Sequence, residues 1–144
     1  MTRHVVDASV TIKWFVEEVH AETARRLLAD PYDLLAPDLW WPECGNILWK
    51  KVQRDELTAE EARLIRSGLE QQVLHIFPSA LLIEPALEIA LDTGRSVYDS
   101  CYLALALLTD CQLVTADRRL FNALQRTYYA VHLTWVEDVG VRHH

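Results

Sequence analysis

Four acidic residues that lie far apart in the sequence each stand where a predicted strand ends or a predicted helix begins. Asp7 follows the run "HVV" and Asp117 follows "CQLVTA", whereas Glu43 and Asp99 lie in the first turns of apolar helical patterns. Carboxylates held within ~4–6 Å of one another repel and raise each other's pKa unless a cation lies between them. Oxygen ligands of this kind suit Mg²⁺ or Mn²⁺. If the four side chains meet, they predict a divalent-metal site.

Each acid also has a purely structural interpretation. Ser96 and Asp99 form the pattern S-x-x-D of a capping box, and Glu43 complements the dipole of a helix that begins near Pro42. Asp7 and Asp117 suit turns or N-caps, which aspartate favours. Helix capping is sufficient for any one of them taken alone. The four together favour a shared cation, because gathered carboxylates without one only repel.

A carboxylate-held divalent ion predicts chemistry on phosphates. Such an ion lowers the pKa of water, and a second ion about 3.5–4 Å away stabilises the leaving oxygen of an in-line displacement. Zinc is disfavoured, because the six histidines form no H-E-x-x-H and the three cysteines form no C-x-x-C. The net charge of -7 argues against a broad basic nucleic-acid surface. A local cation would still draw phosphodiesters into an acidic pocket.

The elements that must position these acids alternate along the chain. Short apolar or β-branched runs predict strands at 4–6, 32–39, 73–77, 111–116 and 130–136, and helical patterns occupy 8–18, 21–30, 42–55, 58–72, 84–94, 96–108 and 117–126. This alternation predicts an α/β fold with a mainly parallel sheet. Ligands of such sheets collect at the carboxyl ends of the strands. We therefore expect the four acids at one edge.

Length and composition indicate one ordinary globular domain spanning residues 1–144. Hydrophobic residues make up 51% of the chain, which is enough to build a core without disulfides. Cys44, Cys101 and Cys111 lie in apolar surroundings and are expected to be reduced core residues. The beginning shows no long apolar stretch of a secretory signal, and no run approaches the ~20 residues of a membrane span. We expect a cytoplasmic protein, and assign no role to His143 and His144.

Four stretches in order resemble the motifs of the PIN-domain nucleases: "VVDASVTIKWF", "PDLWWPECGNILWK", "SVYDSCYLALA" and "LVTADRRL". Within that family the chain is similar to the small VapC-like toxins of bacterial and archaeal toxin–antitoxin pairs. The resemblance implies a three-layer sandwich and a Mg²⁺- or Mn²⁺-dependent endoribonuclease. It also implies a homodimer and a cognate antitoxin protein that inhibits cleavage. The family's metal-ligand and catalytic positions match Asp7, Glu43, Asp99 and Asp117.

Six further residues are candidates at lower weight. Asn46 matches a frequent family asparagine that orients the Glu43 carboxylate or a water, while Ser9 and Thr115 are polar neighbours placed to support Asp7 and Asp117. For these three residues, ordinary capping is an equally good explanation. Lys13, Arg118 and Arg119 lie near the acids in sequence and are candidates for RNA phosphate contacts. For the tryptophans, core or interface packing is the expected use and base stacking is the alternative.

Two other functions remain open at this stage. A receiver-like domain has an acidic pocket on an α/β fold, but it needs paired acids after the first strand, where this chain has Asp7 alone. A non-catalytic protein-binding module would use the acids in an interface. Metal-dependent RNA cleavage discriminates the nuclease from both.

Overall fold

A parallel five-stranded sheet forms the centre of the molecule in a computed structural model, which describes residues 2–29 and 32–140. The spatial order of the strands is β3-β2-β1-β4-β5, and each neighbouring pair is parallel. Their bounds are β1 Thr2–Val6, β2 Tyr32–Pro37, β3 His75–Phe77, β4 Gln112–Thr115 and β5 Leu133–Trp135. Receiver domains have the order 2-1-3-4-5. The receiver-like alternative is therefore not supported.

Helices in the described residues connect the strands by crossovers, as parallel pairing requires. Their bounds are α1 Ala8–Thr11, α2 Ala21–Arg25, α3 Trp40–Gln53, α4 Ala59–Glu70, α5 Ile83–Thr93, α6 Val97–Leu108 and α7 Arg118–Leu124. Short 3-10 turns extend or link these helices at Ile12–Trp14, Arg26–Leu28, Ser79–Leu81, Tyr128–His132 and Val136–Asp138. None of the helices described is both long and apolar enough to cross a membrane.

Alternating strand residues face two different apolar layers. Val5 of β1 and Leu113 of β4 pack with the buried residues of α5 and α6, whereas their successors Val6 and Val114 pack with α1 and α2. A third cluster joins α1 to α3 and α4 around the fully buried Trp40. The sheet thus lies between helical layers, and the predicted α/β three-layer sandwich is confirmed. The cysteines lie in the core, as expected: Cys44, Cys101 and Cys111 are buried and free.

Helix ends near the acids are fixed by local sequence. Gly94 adopts a φ of 77° and ends α5, a backbone conformation that glycine adopts without strain. The next helix begins two residues later, where the hydroxyl of Ser96 accepts a hydrogen bond from the backbone N–H of Asp99. Arg95 and Asp99 therefore lie four residues apart at the beginning of α6, close enough to form an i,i+4 pair. The capping box at Thr58 and Glu61, expected from T-x-x-E, is present with both of its hydrogen bonds.

Several predicted bounds differ from the structure. The helix expected over 8–18 stops at Trp14, because the β-branched run from Val10 to Ile12 favours helix weakly and the burial of Trp14 decides the path. The strand expected over 130–136 is only Leu133–Trp135, since the residues before it form a 3-10 turn. The end of the segment expected over 21–30 and the residues His143 and His144 lie outside the described residues.

Candidate metal centre

Asp7 lies at the junction of β1 and α1, where it is 6% exposed and caps the helix. One carboxylate oxygen, Oδ1, accepts from the Ser9 hydroxyl at 2.5 Å and from the Val10 N–H at 3.2 Å. The other, Oδ2, accepts from the Thr115 hydroxyl. Burial is the main cause that raises the pKa of Asp7 and the nearby charge of Asp117 adds to it, so that the pKa stands at about 6 in spite of the lowering effect of these hydrogen bonds. The carboxylate is held rigidly in a place where its charge is costly.

Asp117 begins α7 directly beyond β4. Its Oδ1 accepts from the N–H groups of Arg119 and Leu120, at 3.0 and 3.2 Å, as in an ordinary N-cap. Its own N–H donates to the Thr115 hydroxyl at 3.0 Å. Because Thr115 also donates to Asp7, one buried hydroxyl ties the ends of β1 and β4 together. Ser9 makes a second tie by accepting from the N–H of Ala116 at 3.1 Å.

Glu43 reaches the same edge of the sheet from the first turn of α3. Its pKa is raised to about 7, first by desolvation and then by the charges of Asp7 and Asp99. Tyr102 lies close enough to offset this rise, but it forms no hydrogen bond of normal geometry with Glu43. Within the described part of the chain, Glu43 Oε1 is buried without a hydrogen-bond partner. The Tyr102 hydroxyl is the polar group near this oxygen in the described structure.

Asp99 lies in the first turn of α6 and pairs with a cation of its own chain. Its Oδ2 lies 2.9 Å from the Nη2 of Arg95, one helical turn earlier in the sequence. The capping box expected of Ser96 and Asp99 is only half formed. Ser96 caps the helix through the backbone N–H of Asp99, but the Asp99 carboxylate does not return the bond to the Ser96 backbone. The Asp99 carboxylate therefore does not cap the helix.

The four acids act on one another electrostatically, Asp7 with Glu43 and Asp117, and Glu43 with Asp99. Asp7 and Asp117 follow the carboxyl ends of β1 and β4, and the couplings indicate that Glu43 lies near Asp7 and that Asp99 lies near Glu43. Across residues 2–29 and 32–140, however, no three His, Cys, Asp or Glu side chains stand close enough to hold one ion. The all-oxygen chemistry of these side chains and the unpartnered Glu43 oxygen fit a hard divalent ion such as Mg²⁺ or Mn²⁺.

The lower-weight candidates fall in different places. Asn46 is exposed and lines a cleft of about 490 Å³ beside Glu43. Lys13 is 12% exposed and donates to Glu18 at 3.1 Å, so it is not a free basic side chain. The Arg118 guanidinium lies 3.8 Å from the centre of the Trp135 ring, and Arg119 is exposed. Of the three basic candidates, Arg118 and Arg119 are exposed, whereas Lys13 is largely buried.

Two groups at this site were missed by sequence reasoning. Arg95 pairs with Asp99 at a spacing of i,i+4, a signal that was readable in the sequence. The hydroxyl of Tyr102, one turn after Asp99, is buried near Glu43 and unpartnered in the described structure. No local sequence pattern predicts that Tyr102 lies near Glu43, since this depends on how α6 lies against α3.

The tryptophans divide between packing and exposure. Trp14 and Trp40 are buried, and the Trp40 indole N–H donates to the Thr11 hydroxyl at 2.9 Å. This bond joins α1 to α3 and so fixes the helix that carries Glu43. Trp41 and Trp49 are 43% and 57% exposed on the outer face of α3. Core packing is therefore confirmed for Trp14 and Trp40, whereas interface packing and base stacking both stay predictions for Trp41 and Trp49.

Replacing Thr115 with Val is expected to raise the pKa of Asp7 above its value of about 6. The change keeps the shape but removes a hydroxyl that donates to the carboxylate. Hydrogen bonds to charged groups contribute about 1.5–3 kcal/mol, so we expect a rise of roughly one unit or more. A carboxyl ¹³C NMR titration measures it. Thr109→Val, whose hydroxyl donates to a helix carbonyl at 2.7 Å, is the matched control. An unchanged Asp7 titration in Thr115→Val would contradict this account.

Comparison with known proteins gives consistent likenesses. The family model described as PIN domain matches residues 4–126. Ribonuclease VapC3 of Pyrobaculum aerophilum is 35% identical over 118 residues, which are 81% of this chain and 90% of that protein. The crystal structure of PAE2754 from Pyrobaculum aerophilum superposes with a TM-score of 0.68 at 23% identity, covering 96% of this chain and 86% of that one. A toxin-antitoxin complex from Klebsiella pneumoniae gives 0.60 at 18% identity, covering 84% and 92%.

Proposed function

This chain belongs to the PIN-domain family, and we propose that it is a divalent-metal-dependent endoribonuclease, the toxin of a toxin–antitoxin pair. The observation that supports the proposal is the electrostatic coupling of Asp7 with Glu43 and Asp117, and of Glu43 with Asp99, together with the raised pKa values of Asp7 and Glu43. The relative named a ribonuclease, which matches over most of both chains, supports RNA as the substrate.

The four carboxylates are the proposed ligands of Mg²⁺ or Mn²⁺. Such an ion supplies Lewis-acid activation of water and stabilises the charge that develops on a phosphate. Asp7 is the fixed ligand, because Ser9, Thr115 and the Val10 N–H orient it. Glu43 offers its unpartnered oxygen from the opposite helix. Asp99 and Asp117 are the remaining proposed ligands.

RNA contacts are proposed for the basic and polar groups around this edge. Arg118 and Arg119 are exposed beside Asp117 and can reach phosphate oxygens. Asn46 lines the cleft next to Glu43 and is placed to bind a nucleotide or a water. Lys13 was a candidate of the same kind, but its ion pair with Glu18 makes it better suited to fixing the first helical turns.

The proposed partners are a cognate antitoxin protein and a second copy of the chain, in the cytoplasm. One structural neighbour is titled a toxin-antitoxin complex. Large apolar side chains are exposed at one-turn intervals along α5, at Ile83, Leu87 and Leu91. Such a stripe is typical of a surface that another protein covers.

RNA cleavage with and without metal tests the proposal. We expect the purified chain to cleave structured RNA with Mg²⁺ or Mn²⁺ and to stop when EDTA is added. Asp99→Asn should lose this activity, whereas Asp33→Asn, on the opposite edge of the sheet beside His75, should keep it. Equal cleavage by the wild type and Asp99→Asn would indicate a contaminating nuclease. A chain that takes up no Mn²⁺ in calorimetry would favour the non-catalytic binding module.

A further inference from the structure

We propose that Arg95 is an internal counter-cation that competes with the divalent ion for Asp99 and thereby sets the metal affinity of the site. The inference rests on the proposed metal-dependent function and names a regulation of the same site. It concerns only residues of this chain, and its primary measurement is metal binding.

Arg95 and Asp99 form a close ion pair at the beginning of α6. Arg95 Nη2 and Asp99 Oδ2 are 2.9 Å apart, and both side chains are 27% exposed. The backbone at Arg95 is fixed, since its N–H donates to the Thr93 hydroxyl at 3.2 Å and Gly94 makes the turn before it. A guanidinium anchored in this way bonds to a carboxylate oxygen that a metal ion would otherwise use.

A single hydrogen bond joins the Arg95 guanidinium to the Asp99 carboxylate. A fork-shaped guanidinium binds a carboxylate best through two parallel N–H bonds. Here Arg95 Nε is buried and meets no acceptor among the described residues, so only Nη2 contributes. The contact is therefore the weaker form of this pairing. A divalent ion that gains several carboxylates at once can displace it.

Arg95 balances the negative charge of Asp99. Asp99 and Glu43 are both carboxylates of the proposed site, and Arg95 is the cation paired with Asp99. Without the guanidinium, Asp99 keeps its negative charge and loses its partner. The site then attracts a cation more strongly, and no bond has to be broken before the ion enters. Loss of Arg95 should consequently strengthen metal binding, the opposite of what general damage to the site would do.

Calorimetric titration of Mn²⁺ into the full chain tests the proposal. We expect Arg95→Gln to bind Mn²⁺ roughly three- to tenfold more tightly than the wild type at low ionic strength, with the difference shrinking as salt is added. Arg95→Lys keeps the charge and should stay closer to the wild type. Arg66→Gln is the matched control, because Arg66 forms an exposed i,i+4 pair with Glu70, also at 2.9 Å, on a different helix.

A double variant separates a direct effect from a rearrangement. In an Asp99→Asn background, Arg95→Gln should change the Mn²⁺ affinity less than it does in the wild type, because the carboxylate that pairs with Arg95 is gone and only the longer-range effect of its charge remains. Circular dichroism of each variant establishes that it is folded before the titration, and Arg95→Ala replaces Arg95→Gln if that variant does not fold. If the wild type binds Mn²⁺ and Arg95→Gln binds it equally or more weakly, this inference is wrong while the proposed function stands. If the wild type binds no Mn²⁺, the proposed function itself fails.

Discussion

Replacing Asp7 with Asn is expected to reduce metal-dependent RNA cleavage by about 10²–10³-fold or more, the usual cost of removing a preorganised electrostatic group from an active site. Asp7 is the most constrained of the four acids, with three hydrogen bonds to its carboxylate. An amide keeps the size of the side chain and one accepting oxygen, but it removes the negative charge. Initial rates on one RNA substrate, at saturating Mn²⁺, measure the effect.

The same substitution should leave the metal-free fold intact or make it more stable. At neutral pH the wild-type carboxylate is charged although burial raises its pKa to about 6, so its charge opposes folding. Asn can still accept from the Val10 N–H and thus keeps the helix cap. A large fall in the metal-free melting temperature would show that Asp7 serves mainly as a cap. Full cleavage by the variant would contradict its role as a ligand.

The sequence was sufficient to predict the architecture, because alternation of strand and helix patterns constrains it strongly. The boundaries were less predictable where tertiary packing overrides local preference. Trp14 shows this well, since its burial and its indole bond to the Ala24 carbonyl redirect the chain after one turn of α1. The 3-10 turn before β5 is similar: it is capped by Thr127, and its Val131 is 71% exposed, unlike a core strand residue.

The site was predictable in its acids but not in their cations. Position at the ends of parallel strands is a property of the fold class, so Asp7 and Asp117 could be assigned to one edge before any contact was known. The pairing of Lys51 with Glu18, at 2.8 Å, joins α3 to the loop that follows the 3-10 turn Ile12–Trp14, and it depends on how α3 packs against that segment. Local spacing cannot express such a contact.

The stability of the metal-free protein is expected to fall as pH rises from about 4 to 7. Asp7 and Glu43 have ordinary pKa values of 3.8 and 4.5, and the folded chain raises them to about 6 and about 7. Between these values the folded state binds more protons than the unfolded state, so each rise in pH favours unfolding. The loss from Asp7 alone is on the order of 3 kcal/mol. Glu43 adds less, because solvent screens a partly exposed carboxylate.

Two other groups also make the stability depend on pH, but in a different direction or over a different pH range. Comparing the wild type with Asp7→Asn isolates the contribution of Asp7. Burial lowers the pKa of His4, so its contribution to stability rises with pH up to about 6.5. The lysines that bind Glu18 hold its pKa below the ordinary 4.5, so that its contribution is lost only in acid.

Urea unfolding from pH 5 to 8 should therefore show a difference in the free energy of unfolding between wild type and Asp7→Asn that grows with pH and levels off above about pH 7. Saturating Mn²⁺ should reverse that difference, since it compensates charge only where the carboxylate remains. A difference independent of pH would mean that the Asp7 charge is already neutralised within the fold, and the cation would then have nothing to relieve.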